Sequence, residues 1–385
     1  MRGCCVAVVT FLVAAACVPR APLPAAPPPE SLALDRPADP ERLPLMGPAE
    51  VIRAIESSSV TYRVMRLEPL DPQALRKYAS ELWPQTFAEV PFPAIAVGAG
   101  GDRHLDRYPV NAAADRLLAE AEPHYRQRHF TEAAELYRRA LDLRPDYYPA
   151  LLDLGDLAQL QGQPEEALRR YERAVAVNPV DHRGHFLTGN ALLELGRAPE
   201  ALGAYAHALA LRPHNKVVLD GIEARQQRLG IRLVRDFFLP RGLARPAAKG
   251  VDVLFDAERA HWVAWAACKG LWLGEVPHRQ QLTGAGDHRF TALEETECLG
   301  VLLQAYVRER AGGDAEEEPD LERLGQIAAA GQLPELILYE MASRKSPHAM
   351  LLLEDDQRGR VEQFVRRFAF ERRGPGLGPT YEVKR

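Results

Sequence analysis

Between residues 261 and 298 the sequence concentrates side chains that could bind a metal ion or carry acid–base chemistry. These residues are His261, Cys268, His278, His288, Glu294, Glu295, Glu297 and Cys298. Zinc sites use such ligands, commonly with two of them closely spaced in the sequence. The segment has neither an H-E-x-x-H nor a C-x-x-C spacing. We therefore expect no metal and no cofactor here, and interpret the set as surface histidines and solvated glutamates on a helix.

The same segment contains two cysteines and three tryptophans whose positions predict a buried core. Cys268 and Cys298 are the only cysteines beyond residue 17. They predict either a disulfide bond, as expected in an oxidising compartment, or two buried free thiols that act as small apolar residues. Trp262, Trp265 and Trp272 follow helical spacing and form one stripe, which is typical of a core rather than of a ligand site. The chain has no Gly-rich phosphate loop and no G-x-S-x-G motif, so we predict no catalytic residue.

The first residues have the layout of an export signal. A positive start at Met1-Arg2-Gly3 precedes the apolar run from Cys4 to Ala16. As a helix this run is about 20 Å long, too short for a hydrocarbon core of about 30 Å. Residues 1–16 are therefore predicted to be a signal peptide. The run ends in Ala14-Ala15-Ala16-Cys17, which resembles a bacterial lipoprotein signal, where cleavage precedes a cysteine that is then acylated.

That resemblance implies lipidation at Cys17, and the alternative is plain export with cleavage at an Ala-x-Ala site. We expect an exported protein in the periplasm or at the outer membrane, anchored on the periplasmic face through Cys17. A net charge of −5 and a pI near 6.2 give no electrostatic reason to bind nucleic acid. Prolines recur through residues 17–48, so this stretch predicts a semi-rigid linker.

Residues 49–110 predict a small mixed segment that packs on the next part of the chain. Pro48 to Ser57 favours a short helix, and Val60 to Leu67 favours a strand. Asp71-Pro72 is a helix start, because Asp caps a helix and Pro is tolerated in its first turn. Regular structure is expected to stop between Pro91 and Gly101.

The strongest pattern in the chain is a repeat of 34 residues. Small, aromatic and proline positions recur in three consecutive units, at Ala133, Ala167 and Ala201; Tyr137, Tyr171 and Tyr205; Ala140, Ala174 and Ala208; and Pro145, Pro179 and Pro213. Small residues allow two helices to cross closely, Tyr fills the space between neighbouring helices, and Pro ends the second helix. The chain thus resembles the tetratricopeptide repeat family over residues 114–215. The stretch from Asn215 to Gly230 resembles the extra helix that closes such arrays.

The resemblance implies a groove that binds another protein. In this family the first helix of each repeat lines a concave face, which holds a partner segment. The positions carried over to this chain are Leu118, Glu122, Tyr125, Leu152, Asp153, Asp156, Gln159, Phe186, Asn190 and Leu193. An acidic and apolar groove suits a segment that carries Lys or Arg among apolar anchors. The alternative is that the chain's own residues 49–110 or its C-terminal segment fill the groove.

The whole chain is predicted to be mostly α-helical: a tetratricopeptide solenoid with its cap at 111–229, a C-terminal helical domain at 230–373 and a tail at 374–385. The C-terminal segment resembles no family that we recognise, and could be a separate domain or a diverged continuation of the solenoid. We expect a lipid-anchored envelope scaffold or adaptor rather than an enzyme. The alternative is an envelope enzyme whose C-terminal domain is catalytic and whose repeats recruit substrate.

Overall fold

The structure is a computed structural model that describes residues 45–68, 71–84, 90–99 and 103–372. The predicted signal peptide, the lipidation site Cys17, most of the predicted linker and the predicted tail lie outside these ranges. Among the described helices, none is both long enough and apolar enough to cross a membrane. The prediction of a mostly helical chain is confirmed.

The N-terminal segment contains two helices and three strands. They are α1 (Pro48–Glu56), β1 (Tyr62–Leu67), α2 (Pro72–Leu82), β2 (Pro93–Val97) and β3 (Arg103–Arg107). Asp71 caps α2, because its carboxylate accepts the Ala74 amide at 2.7 Å. Strands β2 and β3 pair as an antiparallel hairpin. The predicted irregular stretch after Pro91 therefore begins with a strand.

Three helix pairs follow, as the repeat spacing predicts. Their helices are α3 (Ala112–Arg126), α4 (Phe130–Leu143), α5 (Tyr148–Leu160), α6 (Pro164–Val177), α7 (His182–Glu194) and α8 (Ala198–Leu211). The turns inside the second and third pairs place Gly162 and Gly196 at positive φ, 70° and 75°. Arg128 adopts the same conformation in the first pair, at φ 61°, although glycine suits it better.

The helices of one pair cross at the predicted small residues. A Cβ atom at Gly155 would lie 2.3 Å from the Tyr171 ring, and one at Gly189 would lie 2.5 Å from the Tyr205 ring. Both tyrosines are fully buried. The contact between a glycine of the first helix and a tyrosine of the second therefore recurs in the next repeat, 34 residues later.

Two short helices close the array, where the sequence predicted one. They are α9 (Lys216–Glu223) and α10 (Gln226–Leu229), and α10 ends at Gly230, which has φ 67°. The C-terminal residues then add strands β4 (Ile231–Leu233), β5 (Gly242–Ala247), β6 (Gly250–Asp256) and β7 (Phe370–Arg372). Strand β6 is the centre of a sheet with order β1-β6-β5, in which β1 is parallel to β6. A continued solenoid of helical repeats would lack this sheet.

The remaining C-terminal elements are helical. They are α11 (Trp262–Gly274), α12 (Val276–Thr283), α13 (Ala292–Gly312), α14 (Pro319–Ala329), α15 (Leu333–Leu336), α16 (Ser343–Lys345), α17 (Ala349–Leu352) and α18 (Asp355–Phe364), with π-helical turns at Ile337–Ala342 and Val365–Ala369. Helix α11 packs on the sheet and on α13. Its three tryptophans are buried, as the stripe predicts.

A disulfide bond joins α11 to α13. Cys268 and Cys298 have Cα atoms 5.4 Å apart, and both side chains are inaccessible to solvent. Such a separation is ordinary for bonded cysteines. The sequence left open a disulfide bond or two buried free thiols, and the structure contains the disulfide bond.

Candidate functional site

Helices α3, α5 and α7 carry all ten predicted groove residues at equivalent places. We call the side of these helices that carries them the groove face. Leu152 and Leu193 are buried beneath it, at 6% and 3% exposure. The other eight are half-buried: Leu118, Glu122, Tyr125, Asp153, Asp156, Gln159, Phe186 and Asn190. Residues 34 apart occupy equivalent positions in a solenoid, so the side chains form rows across the three helices.

Tyrosines of the second helices hold the polar row of the groove face. The Tyr171 hydroxyl donates to Asp156 at 2.7 Å, and the Tyr205 hydroxyl donates to Asn190 at 2.8 Å. In both pairs the acceptor lies 15 residues before the tyrosine. Tyr137 also stands 15 residues after Glu122, but there the carboxylate pairs with Arg126 at 3.2 Å instead. The consensus tyrosine thus packs against its own helix pair and also orients a groove side chain.

Three carboxylates make the first two repeats of the groove face acidic. Burial raises the pKa of Asp156 to about 6, although the bond from Tyr171 opposes the shift. Burial also raises the pKa of Asp153 well above its usual range, and the charges of Asp156 and Glu122 add to the effect. The charge of Arg183 opposes this shift, but Asp153 forms no ion pair with a described residue. A cation placed here would relieve both the repulsion and the unpaired charge.

The segments outside the repeats pack mostly on other surfaces of the array. Helix α18 and the π-helical turn Val365–Ala369 pack on α8, a second helix. The β2–β3 hairpin lies against the loops between repeats, where the Asn178 amide donates to the Pro93 carbonyl at 2.9 Å. From this hairpin Phe92 reaches the start of α5 and α7, at Tyr148 and Arg183. Among the described elements, the repeat helices make the extensive contacts with α3, α5 and α7. The closing helices add contacts at one end, where Gly221 of α9 lies against the Phe186 ring and Arg228 of α10 donates to the Leu193 carbonyl at 3.0 Å.

The geometry of this face agrees with the comparison to known proteins. A family model described as tetratricopeptide repeat matches residues 118–162 and 152–216. Residues 118–216 are tetratricopeptide repeats. No curated protein matches the chain.

Several solved tetratricopeptide structures are similar to this segment. The domain of Sgt2 from Aspergillus fumigatus is 21% identical, covers 31% of this chain and 80% of its own, and has a TM-score of 0.30. The Yersinia enterocolitica type III secretion chaperone SycD, in complex with a peptide of the translocator YopD, is 21% identical over 31% of this chain and 92% of its own, with a TM-score of 0.28. The domain of OM64 from Arabidopsis is 18% identical over 30% and 95%, with a TM-score of 0.29.

Outside the tetratricopeptide repeats, the interpretation of the charged C-terminal residues as solvated was wrong. Glu294, Glu295 and Glu297 are buried at 1–2% exposure, and His261 and His278 are buried too. The sequence hides this, because Glu294 and Glu295 stand in the first turn of α13, where acidic side chains are also expected on an exposed helix. Only one of the three histidines, His288, is partly exposed.

Lys269 of α11 lies at the centre of this buried cluster. Its ammonium group pairs with Glu294 and lies 3.0 Å from Glu295 Oε1. The same Glu295 oxygen accepts the Trp83 indole N–H at 2.8 Å. Glu297 accepts a hydrogen bond from Trp272 and lies 2.9 Å from His278 Nε2. Since removing one member of a buried pair leaves the other charge uncompensated, these groups form one cooperative unit.

This cluster has the partners of a structural network rather than those of a metal centre. Within the described ranges, no group of three or more His, Cys, Asp or Glu side chains is arranged to hold a metal ion. Glu297 also accepts the backbone amide of Met46 at 2.8 Å. Together with Trp83, this contact ties the N-terminal segment to α11 and α13.

Two cavities lie elsewhere on the described residues, and neither is lined by this cluster. One, of about 690 Å³, is lined by α14 and by residues such as Arg367, Phe368 and Glu371. The other, of about 480 Å³, lies on the repeats, where α7 and α8 line it together with Arg366. A catalytic domain is expected to gather its perturbed acids and bases in an accessible cleft. The charged groups Lys269, Glu294, Glu295 and Glu297 are instead buried in the interior.

Sequence reasoning missed two residues beside the groove face, Phe92 and Arg183. Arg183 stands 34 residues after Pro149 and three before Phe186, so the repeat register could have placed it on this face. Phe92 gives no such signal, because it lies outside the repeats and reaches the array only through the hairpin.

Proposed function

We propose that this protein is an exported, lipid-anchored adaptor that binds an extended segment of a partner protein on its groove face. Tetratricopeptide repeats support a role in protein–protein interaction. The observation that carries the proposal is the set of Glu122, Asp153 and Asp156, held half-buried beside apolar side chains. The partner is a segment with Lys or Arg among apolar residues.

The chemistry of the face supports this choice of partner. Leu118, Leu152 and Phe186 form an apolar row, and the acidic row runs beside it. A basic side chain that binds between Asp153 and Asp156 gains attraction in a partly desolvated place. The apolar anchors of the segment then cover the leucine and phenylalanine side chains.

Charge reversal tests the proposed partner site. We expect Asp156→Lys together with Glu122→Lys to weaken binding several-fold or more, because two attractive charges become repulsive. The effect should shrink as salt rises. The measurement is quantitative co-purification of partners from a detergent-solubilised membrane fraction, followed by titration of the purified partner.

The matched control reverses two acids elsewhere on the array. Glu165 and Glu172 are exposed on α6, outside the groove face, so Glu165→Lys with Glu172→Lys should leave partner binding nearly unchanged. If both double variants recover the same partners as wild type, the groove face is not the binding site.

The proposed location rests on the N-terminal sequence and fits the disulfide bond. The apolar run that ends at Cys17 has the layout of a lipoprotein signal. Disulfide bonds persist in oxidising compartments, which agrees with export. The linker of residues 17–48 would then hold the folded part away from the membrane surface.

Replacement of the acylated cysteine tests the anchor. Cys17→Ser should move the protein from the membrane fraction to the soluble fraction, because one lipid-bearing residue supplies the attachment. Intact mass measurement of the mature wild type should find lipid on Cys17. A mature protein that starts elsewhere, without lipid mass, would contradict the anchor and leave the groove proposal standing.

We favour the adaptor over the envelope enzyme. Catalysis by residues 230–373 needs reactive groups in a cleft, whereas the charged groups of α11 and α13 are enclosed and paired with each other.

A further inference from the structure

Phe92 and Arg183 form a stacked pair at the edge of the groove face. The centre of the Phe92 ring lies 3.8 Å from Arg183 Cζ, and the same ring meets Tyr148 edge-on at 6.2 Å. Phe92 has φ 50°, a left-handed backbone that is rare for a bulky residue. Strained residues persist only where the surrounding structure holds them, and they concentrate at functional sites.

Asp181 fixes the guanidinium in this position. Arg183 Nε lies 2.9 Å from Asp181 Oδ1 and 3.1 Å from Oδ2, and Nη2 also donates to this carboxylate. The Asp181 side chain is fully buried, whereas 35% of the Arg183 side chain is exposed. Asp181 also caps α7, since it accepts the Arg183 amide at 3.0 Å. Asp181 therefore compensates the charge of Arg183 and holds the plane of its guanidinium in place.

This pair is continuous with the proposed binding site. Arg183, Phe186 and Asn190 follow helical spacing on α7, so they share one side of the helix. Arg183 is also close enough to Asp153 to act on its charge. A partner segment that crosses from α5 to α7 therefore passes Arg183 after it passes the acidic row.

We propose that the Phe92–Arg183 pair is a stacking platform for an aromatic side chain of the partner, next to the basic residue that the acidic row binds. One edge of the guanidinium is already occupied by Asp181, and one flat side by Phe92. Arginine stacks on aromatic rings through the flat side of its guanidinium, whereas the lysine ammonium group has no flat side. A carboxylate would gain less, because Asp181 has already compensated the charge. This inference rests on the proposed function and adds a specificity element from outside the repeats.

Defined peptides test the platform. The probes are short fluorescent peptides with Leu anchors and one Lys, in which a single Tyr, Glu or Ser is placed at each remaining position in turn. A second set has Ser in place of the Lys and measures the preference for Lys. Affinities for the purified full chain are measured by fluorescence anisotropy. We expect one placement at which the Tyr peptide binds about two- to five-fold more tightly than the Ser peptide, the range of an exposed cation–π contact.

Two variants separate stacking from ion pairing. Arg183→Lys keeps the charge and removes the plane, and Phe92→Leu keeps an apolar side chain and removes the ring. Both should abolish the Tyr preference and leave the preference for Lys in the peptide. Thermal unfolding should show that both variants remain folded. Arg197→Lys is the matched control, because Arg197 is paired with Glu200 away from the groove face.

The outcomes distinguish this inference from the function on which it rests. A Tyr preference that survives in Arg183→Lys, a stronger preference for Glu, or no preference at any position overturns the platform. If the peptides still require Lys and lose binding in the charge-reversal variant, the adaptor proposal stands without the platform. If no peptide binds, both proposals fail.

Discussion

At the scale of single residues, Asp156 and Asn190 are a natural comparison within one chain. Each accepts a hydrogen bond from the tyrosine 15 residues later, at 2.7 Å and 2.8 Å. They differ in charge, and burial raises the pKa of Asp156 to about 6. An amide accepts the same bond at Asn190, so the structural task does not require a carboxylate at Asp156. The proposed binding of a basic side chain would give the carboxylate a role.

Asp156→Asn should therefore stabilise the protein at neutral pH. A carboxyl with a raised folded-state pKa binds its proton more tightly in the folded chain, so stability falls as the pH rises from about 4 to about 6, and the loss is complete above pH 6. We expect a gain of about 1–2 kcal/mol in the free energy of unfolding at pH 7.5, discounted for partial exposure. The gain should vanish near pH 4. Urea unfolding at both pH values measures it, with Asn190→Asp as the reciprocal control. Equal gains at both pH values would contradict the argument.

At the scale of helices and strands, the 34-residue spacing allowed the repeat helices to be predicted. The repeated positions of Ala167, Tyr171 and Pro179 predicted three helix pairs, and the structure confirms them. Strand β6 was missed because Val251–Phe255 is a short, mostly apolar run, and such a run is as typical of a buried helix segment as of a buried strand. The groove rows followed from the repeat register, whereas Phe92 depends on a hairpin that no periodicity indicated.

Gly155 gives a prediction at this scale, with a matched control in another helix. Gly155→Ala should destabilise the repeats by about 1–3 kcal/mol, because its Cβ would overlap the Tyr171 ring at 2.3 Å. Gly325 lies in α14 with no atom within 4 Å of the added Cβ, so Gly325→Ala should stabilise by about 0.4–1 kcal/mol. Chemical denaturation of both variants checks the opposite signs. Two stabilised variants would show that helix propensity outweighs the close approach to Tyr171.

At the scale of the whole molecule, the repeats are inserted between two parts of one α/β unit. Strand β1 pairs with β6, and Arg63 bonds to Asp252 at 2.8 Å across 189 residues of sequence. Met46 and Trp83 also precede the repeats in the sequence, and both bond to buried glutamates of α13. Residues 49–110 were predicted to pack on the repeats. The β2–β3 hairpin does so, whereas α1 and β1 pack on the C-terminal elements. Nothing in local pattern encodes a pairing over this distance.

Removal of the N-terminal part should therefore damage the C-terminal sheet and spare the repeats. In a chain that begins at residue 90, β6 loses its parallel neighbour, and Glu295 loses the hydrogen bond from Trp83. We expect the amides of Val251–Phe255 to lose most of their protection in hydrogen exchange, because a central strand becomes an edge strand with an exposed core. Helices α3 to α8 bury their own tyrosines and should keep their protection. A separate peptide of residues 45–84 should restore protection to β6 when it is added in trans. Protection of β6 that survives the deletion, or an equal loss in the repeat helices, would show that the two parts do not form one unit.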